Sequence, residues 1–126
     1  MGDLFINAND LSPKIRKIVV QSDIWDVIDN METRVDELKN MLDNNYQQHK
    51  QVVIYLHCSA GVDRTGEMSG GYYMKYLNWG FNQTLTFDNT VESRHMNTPK
   101  ENALSFYCWD LFYKRGTPKD CDTPFD

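Results

Sequence analysis

Several things are scarce in this chain, and each scarcity excludes a class of protein. No apolar run approaches the roughly 18 residues that a membrane-spanning helix requires. Cysteine occurs only three times, at Cys58, Cys108 and Cys121. The count is odd and no Cys-x-x-Cys pair is present, which speaks against a zinc ribbon or a thioredoxin-like redox couple. A disulfide framework is therefore not expected, and a reducing, cytoplasmic setting is. Positive charge is also in deficit: 13 Lys and Arg stand against 18 Asp and Glu, for a net charge of -5. That balance argues against general affinity for nucleic acid or anionic membranes. The opening "MGDLFINAND" lacks the basic and apolar regions of a secretory signal. Repeats and low-complexity tracts are missing too. With 126 residues, what remains is one small domain with a single core.

The hydrophobic pattern divides the chain into elements. Residues 1–13 read as irregular. "KIRKIVVQ" (Lys14–Gln21) reads as a short strand because of its β-branched run. From Trp25 to about Asn45 the period changes: Ile28, Met31, Val35, Leu38 and Leu42 step by three and four and share one helical face. "QVVIYL" (Gln51–Leu56) is continuously apolar, the pattern of a central strand buried on both faces of a parallel sheet. A helix is expected from Arg64 to about Trp79, with Met68, Tyr72, Tyr76 and Leu77 inward. Gly70-Gly71 within it either weakens the helix or lets another element approach closely. Another helix is expected over about Phe81–Arg94. A last one begins at a Thr98 cap, with Pro99 in its first turn and Glu101 completing a capping box, and ends at Gly116. Its apolar face includes Cys108, read as a small core residue. Residues 117–126 read as a flexible tail.

Between the apolar strand and the next helix lies "LHCSAGVDRTGE" (Leu56–Glu67). A loop that follows a strand and opens a helix sits where ligands bind in open α/β sheets. A helix N-terminus offers unpaired N–H groups and a positive dipole end, which together attract anions. Ser59, Ala60, Gly61, Val62, Asp63 and Arg64 can curl so that their amides converge, with Gly61 permitting the turn. The Arg64 guanidinium matches two oxygens of a phosphate. Cys58, at the floor of this cradle, is favoured as a thiolate by the same dipoles. Thr65 can hydrogen-bond its sulfur, and His57 can orient the loop or the thiolate.

His57, Cys58, Gly61, Arg64, Thr65 and Gly66 spell His-Cys-x-x-Gly-x-x-Arg-Thr-Gly. This resembles the signature loop of the cysteine-dependent protein tyrosine phosphatase superfamily, and its shorter dual-specificity branch is the better match. The resemblance covers about residues 14–115. It implies an α/β fold: a central, mainly parallel sheet flanked by helices, with the C-terminal part all helical. Only two strands are legible, so the N-terminal strands of that fold are expected to be missing from this chain. Residues 1–116 would then be the C-terminal portion of a phosphatase domain, with a second chain as one source of the missing strands.

The resemblance also implies a mechanism. Cys58 attacks phosphorus while Arg64 and the loop amides hold the equatorial oxygens, Thr65 helps the sulfur leave, and no metal or cofactor takes part. The family's general acid is an aspartate on a loop some thirty-odd residues upstream. Asp23 is the first candidate and Asp26 the second; Asp10, or no acid, completes the alternatives. The implied substrate is a phosphorylated protein. The alternative is a phosphoinositide, because the Asp63-Arg64-Thr65 run also resembles myotubularin-type lipid phosphatases. Asp63 either contacts inositol hydroxyls or pairs with a neighbouring basic residue. Arg94 either supports the loop from behind or simply ends a helix. Two rivals stand beside this reading: a module that binds phosphate without turnover, and a sulfur-transfer or arsenate-reducing enzyme.

Overall fold

The computed structural model describes residues 6–22, 30–48, 51–91 and 94–124. The elements among those residues are a short 3-10 turn at Ala8–Asp10 and five helices: α1 (Pro13–Val20), α2 (Met31–Gln47), α3 (Asp63–Tyr76), α4 (Phe81–Thr90) and α5 (Thr98–Arg115). Helix α5 is the centre of the arrangement, packing against α1, α3, α4 and the 3-10 turn, while α2 and α4 lie against α3. The α5 residues from Lys100 to Cys108 are buried without a break.

No β-strand occurs among the described residues, so the expected parallel sheet is overturned. Lys14–Gln21, expected as a strand, lies within and just beyond α1. The deciding signals are at its start: the Ser12 side chain accepts from the Ile15 amide, and Pro13 occupies the first turn, both strong helix-initiating features. Arg16 faces inward together with Val20. The Arg16 guanidinium lies 4.2 Å from the Trp109 ring centroid and donates to the carbonyls of Ala8 and Leu11. Gln51–Leu56, expected as a doubly buried central strand, has no ladder partner among the described residues. Ile54 and Leu56 are half-buried, whereas Val53 is 95% exposed and Tyr55 82% exposed. A continuous apolar run specifies burial on both faces only where neighbouring strands cover both, and here one face stays open.

The helices expected from periodicity are present with shifted ends. Met31, Val35 and Leu38 form the buried stripe of α2; Ile28 lies outside the described residues. Leu77, expected inward, is 49% exposed just beyond α3. Gly70 and Gly71 serve close approach. A Cβ at Gly70 would lie 2.7 Å from Asp88 Oδ2 and 2.9 Å from Thr84 Cγ2; one at Gly71 would lie 2.6 Å from Met31 Cε. These glycines let α4 and α2 pack directly on the α3 backbone. The α5 cap is Asn97, not Thr98: its side chain accepts from the Lys100 amide.

The cysteine reading is corrected as well. Cys108 and Cys121 form a disulfide, with both residues almost fully buried. The signal was invisible in sequence because spacing does not report which cysteines the fold brings together. Residues 117–124 are attached by more than that bond. Asp120 accepts from the amides of Phe81 (2.7 Å) and Asn82 (3.0 Å), capping α4, and Asn9 donates to the Cys121 carbonyl.

Candidate active site

The residues after Leu56 leave the extended segment and turn into α3. Gly61 has a φ of 70°, in the left-handed region that side chains other than glycine adopt at a cost. Val62 is 3% exposed and points into the core, which anchors the loop. Helix α3 then begins at Asp63 with no side-chain cap, so its first amides face the loop and carry the positive end of the helix dipole.

Cys58 sits where these groups converge. The Thr65 hydroxyl donates to its sulfur at 3.2 Å, and the backbone amides of Thr65, Gly61 and Ala60 also hydrogen-bond it. The hydroxyl is the largest influence, the amides add to it, and desolvation opposes them; together they lower the thiol to about 6 from 9.0. A group with that ionisation is mostly thiolate at neutral pH, the nucleophilic form. Cys58 is the free cysteine of the three.

Arg64 extends along the rim, with Nη2 3.5 Å from Ser59 Oγ. It lines an open cavity of about 320 Å³ together with His57, Thr65, Met68, Arg34 and Glu37. The cavity thus has arginine side chains from two helices on its wall. His57 stacks on Tyr55, with ring centroids 5.5 Å apart. A second cavity, of about 230 Å³, lies on the other side of the loop, between Gly61, Thr65, Ser69, Asp88 and the half-buried Ile54 and Leu56.

Asp63 is turned out of the cradle. Both of its oxygens receive Arg94, at 2.8 and 2.7 Å, and Oδ1 also accepts from the Asn97 amide at 2.8 Å. The Arg94 contact is the main reason its carboxyl is held below the usual range. Asp23 and Asp26 lie outside the described residues. Asp10, the remaining acid candidate, is exposed at the end of the 3-10 turn that packs on α5.

The structure therefore brings Cys58, Ala60, Gly61 and Thr65 together, sets Arg64 beside Ser59, and separates Val62 and Asp63 from the cradle's interior. Three residues of the surroundings escaped sequence reasoning. Arg34 lies within the helix expected from Trp25 to about Asn45, where no site residue was expected. Ser69 and Asp88 read as ordinary helix positions, yet Ser69 Oγ donates to the Thr65 carbonyl at 2.8 Å and lies 3.5 Å from Asp88 Oδ1. Asp88 is 4% exposed, and burial pushes its carboxyl up to about 7. A carboxylate at helical spacing from Phe81, Thr84 and Leu85, the buried face of α4, was the available signal.

A family model described as dual specificity phosphatase, catalytic domain, matches residues 5–104. Comparisons with curated proteins and with solved structures give no match. The match spans most of the chain and includes the whole loop, so the chain belongs to the dual specificity phosphatase catalytic-domain family. It is a phosphatase domain of that family, and a phosphorylated substrate follows from that membership.

Proposed function

We propose that this domain hydrolyses phosphomonoesters through a phosphocysteine intermediate on Cys58, with phosphorylated protein as substrate. The observation that carries the reading is the convergence of the Thr65 hydroxyl and three backbone amides on one sulfur whose ionisation lies near 6. In the first step the Cys58 thiolate attacks phosphorus and the ester oxygen departs. The S–P bond forms as the P–O bond breaks, and the acid gives its proton to the leaving oxygen. In the second step the same carboxylate takes a proton from a water that attacks phosphorus, and the S–P bond breaks as the thiolate leaves and phosphate is released. Arg64 and the loop amides offset the charge on the equatorial oxygens, and Thr65 stabilises the departing sulfur. Asp23 remains the first candidate for the acid, with Asp26 second, on chain position alone.

Asp63 favours a protein substrate over a phosphoinositide. Its carboxylate already accepts three hydrogen bonds from Arg94 and Asn97, which leaves it poorly disposed to receive inositol hydroxyls. The net charge of -5 points the same way, since a lipid surface is anionic.

Hydrolysis of para-nitrophenyl phosphate, with inhibition by vanadate, tests the reading. Cys58→Ser is expected to abolish turnover while retaining vanadate-competable binding of a phosphotyrosyl peptide. Undiminished hydrolysis by that variant would exclude the mechanism, and failure of the wild-type domain to hydrolyse any phosphomonoester would favour a binding module.

A further inference from the structure

The proposed chemistry leaves one contact without a purpose. Asp63 adjoins Arg64, and a carboxylate near a site for a dianion opposes binding unless its charge is offset. Here it is offset with some completeness. The guanidinium of Arg94 meets it end-on, one nitrogen to each oxygen, and Nη1 also donates to the His95 carbonyl at 2.9 Å, which fixes the group from the other side. The Asn97 amide binds Oδ1, and Asn97 is itself the cap of α5. The first residue of α3, the segment after α4 and the start of α5 are thereby tied at one point, at the base of the loop.

Arg94 also lies within the field of the nucleophile: the Cys58 thiolate is among the charges that hold its proton. The charged groups around the site are Arg64 in the first turn of α3, Arg34 and Glu37 on α2, Asp88 on α4 and Lys100 on α5, the last acting on Asp63. Beside these, Arg94 contacts the Asp63 carboxylate through two parallel bonds, the geometry in which an arginine is not replaced by a lysine.

We propose that Arg94 is a positioning residue for phosphoryl transfer, acting through Asp63: it holds the loop carboxylate away from the phosphate cradle and keeps the first turn of α3 aimed at Cys58. The proposal rests on the reading of Cys58 as nucleophile. It has an electrostatic part and a geometric part. Without Arg94, the Asp63 charge keeps only the Asn97 amide and the more distant Lys100, and one positive charge near the thiolate is lost, so both changes disfavour the thiolate. Without the Asp63 charge, Arg94 remains and the thiolate is not disfavoured. The two single substitutions should therefore differ in their effect on the same thiol, only the loss of Arg94 raising its pKa, whereas a purely architectural contact would suffer alike from the loss of either partner.

The experiment compares Arg94→Gln, Arg94→Lys, Asp63→Asn and the double variant. The pH dependence of Cys58 alkylation by iodoacetamide gives the thiol ionisation without requiring turnover, and para-nitrophenyl phosphate hydrolysis gives kcat/KM. Arg94→Gln is expected to raise the thiol pKa and lower kcat/KM at pH 6 about tenfold or more, the scale on which small misplacements of catalytic groups act. Arg94→Lys should recover only part of the loss, because the fork is gone. Asp63→Asn should not raise the thiol pKa, and adding it to Arg94→Gln should return that pKa toward the wild-type value. A folded Arg94→Gln variant with an unchanged thiol pKa and kcat/KM within about twofold of wild type would overturn the proposal. Should Arg94→Gln fail to fold, the comparison of Asp63→Asn with the double variant carries the test: a double variant whose thiol pKa lies well above that of Asp63→Asn and of wild type would contradict the charge-balance argument. If the wild-type domain alkylates with a low pKa but hydrolyses nothing, the phosphatase reading fails while the alkylation arm still judges Arg94.

Discussion

Thr65→Ala gives the sharpest view of how the loop controls its nucleophile. The perturbation removes one hydroxyl that donates to Cys58 Sγ at 3.2 Å and leaves the amides of Thr65, Gly61 and Ala60 in place. A hydrogen bond to a charged group is worth about 1.5–3 kcal/mol. One pKa unit corresponds to about 1.4 kcal/mol, so the full bond is worth about one to two units. Cys58 is only half-buried, so water replaces part of the lost donor and the lower figure applies. The thiol pKa, about 6 in the wild type, is expected to rise to about 7. At pH 6 the thiolate fraction should then fall from about one half to about one tenth, and the acidic limb of kcat/KM should move up by the same interval. Thr65→Ser, which keeps the hydroxyl, should leave both near the wild-type values. The assay is the rate of iodoacetamide modification against pH, followed by intact mass. A Thr65→Ala thiol pKa within about 0.3 units of wild type would show that the amides and helix dipole suffice and that the hydroxyl's dominance is misjudged.

Two further substitutions test the frame around the loop. Asp88 is 4% exposed, and burial raises its carboxyl from 3.8 to about 7. The folded state therefore holds a proton that the unfolded state has released across that interval, so stability falls as pH rises from about 4 to about 7. Asp88→Asn should remove this component and stabilise the domain at pH 8 by on the order of 2–4 kcal/mol, with little gain at pH 4. Urea titrations at the two pH values check it, and a gain of equal size at both would refute the assignment of that proton. Asp120→Ala should cost about 1–2 kcal/mol by uncapping α4, since both carboxylate oxygens accept from its first amides. Thermal melts measure this, and an unchanged melting temperature would mean those bonds are replaced by water without loss.

The family and the candidate loop of this chain were more legible in sequence than its architecture, and the reason is distance along the chain. Cys58, Gly61, Arg64 and Thr65 lie within eight consecutive positions, so one local turn brings them together and a linear motif records it. The Met31, Val35 and Leu38 stripe and the Gly70-Gly71 approach were legible for the same reason, since each is written within one helix. The misreadings involve partners far apart or absent. "KIRKIVVQ" is β-branched, but the Ser12-Pro13 start and the fit of Arg16 over Trp109 outweigh its strand propensity. "QVVIYL" has the composition of a buried strand, yet burial depends on neighbours that composition does not supply. The Cys108–Cys121 bond and the Asp63–Arg94 pair, 13 and 31 residues apart, leave no periodic trace.

The central claim is that phosphate passes through a covalent bond to one sulfur. Rapid acid quenching of the wild-type domain during turnover of an aryl phosphate, followed by peptide mass spectrometry, tests it directly. The account predicts a phosphoryl group on the peptide containing Cys58, absent when that cysteine is serine or when vanadate is present. Active turnover with no such adduct at any quench time, even in Thr65→Ala where release of the sulfur should be slowed, would contradict it.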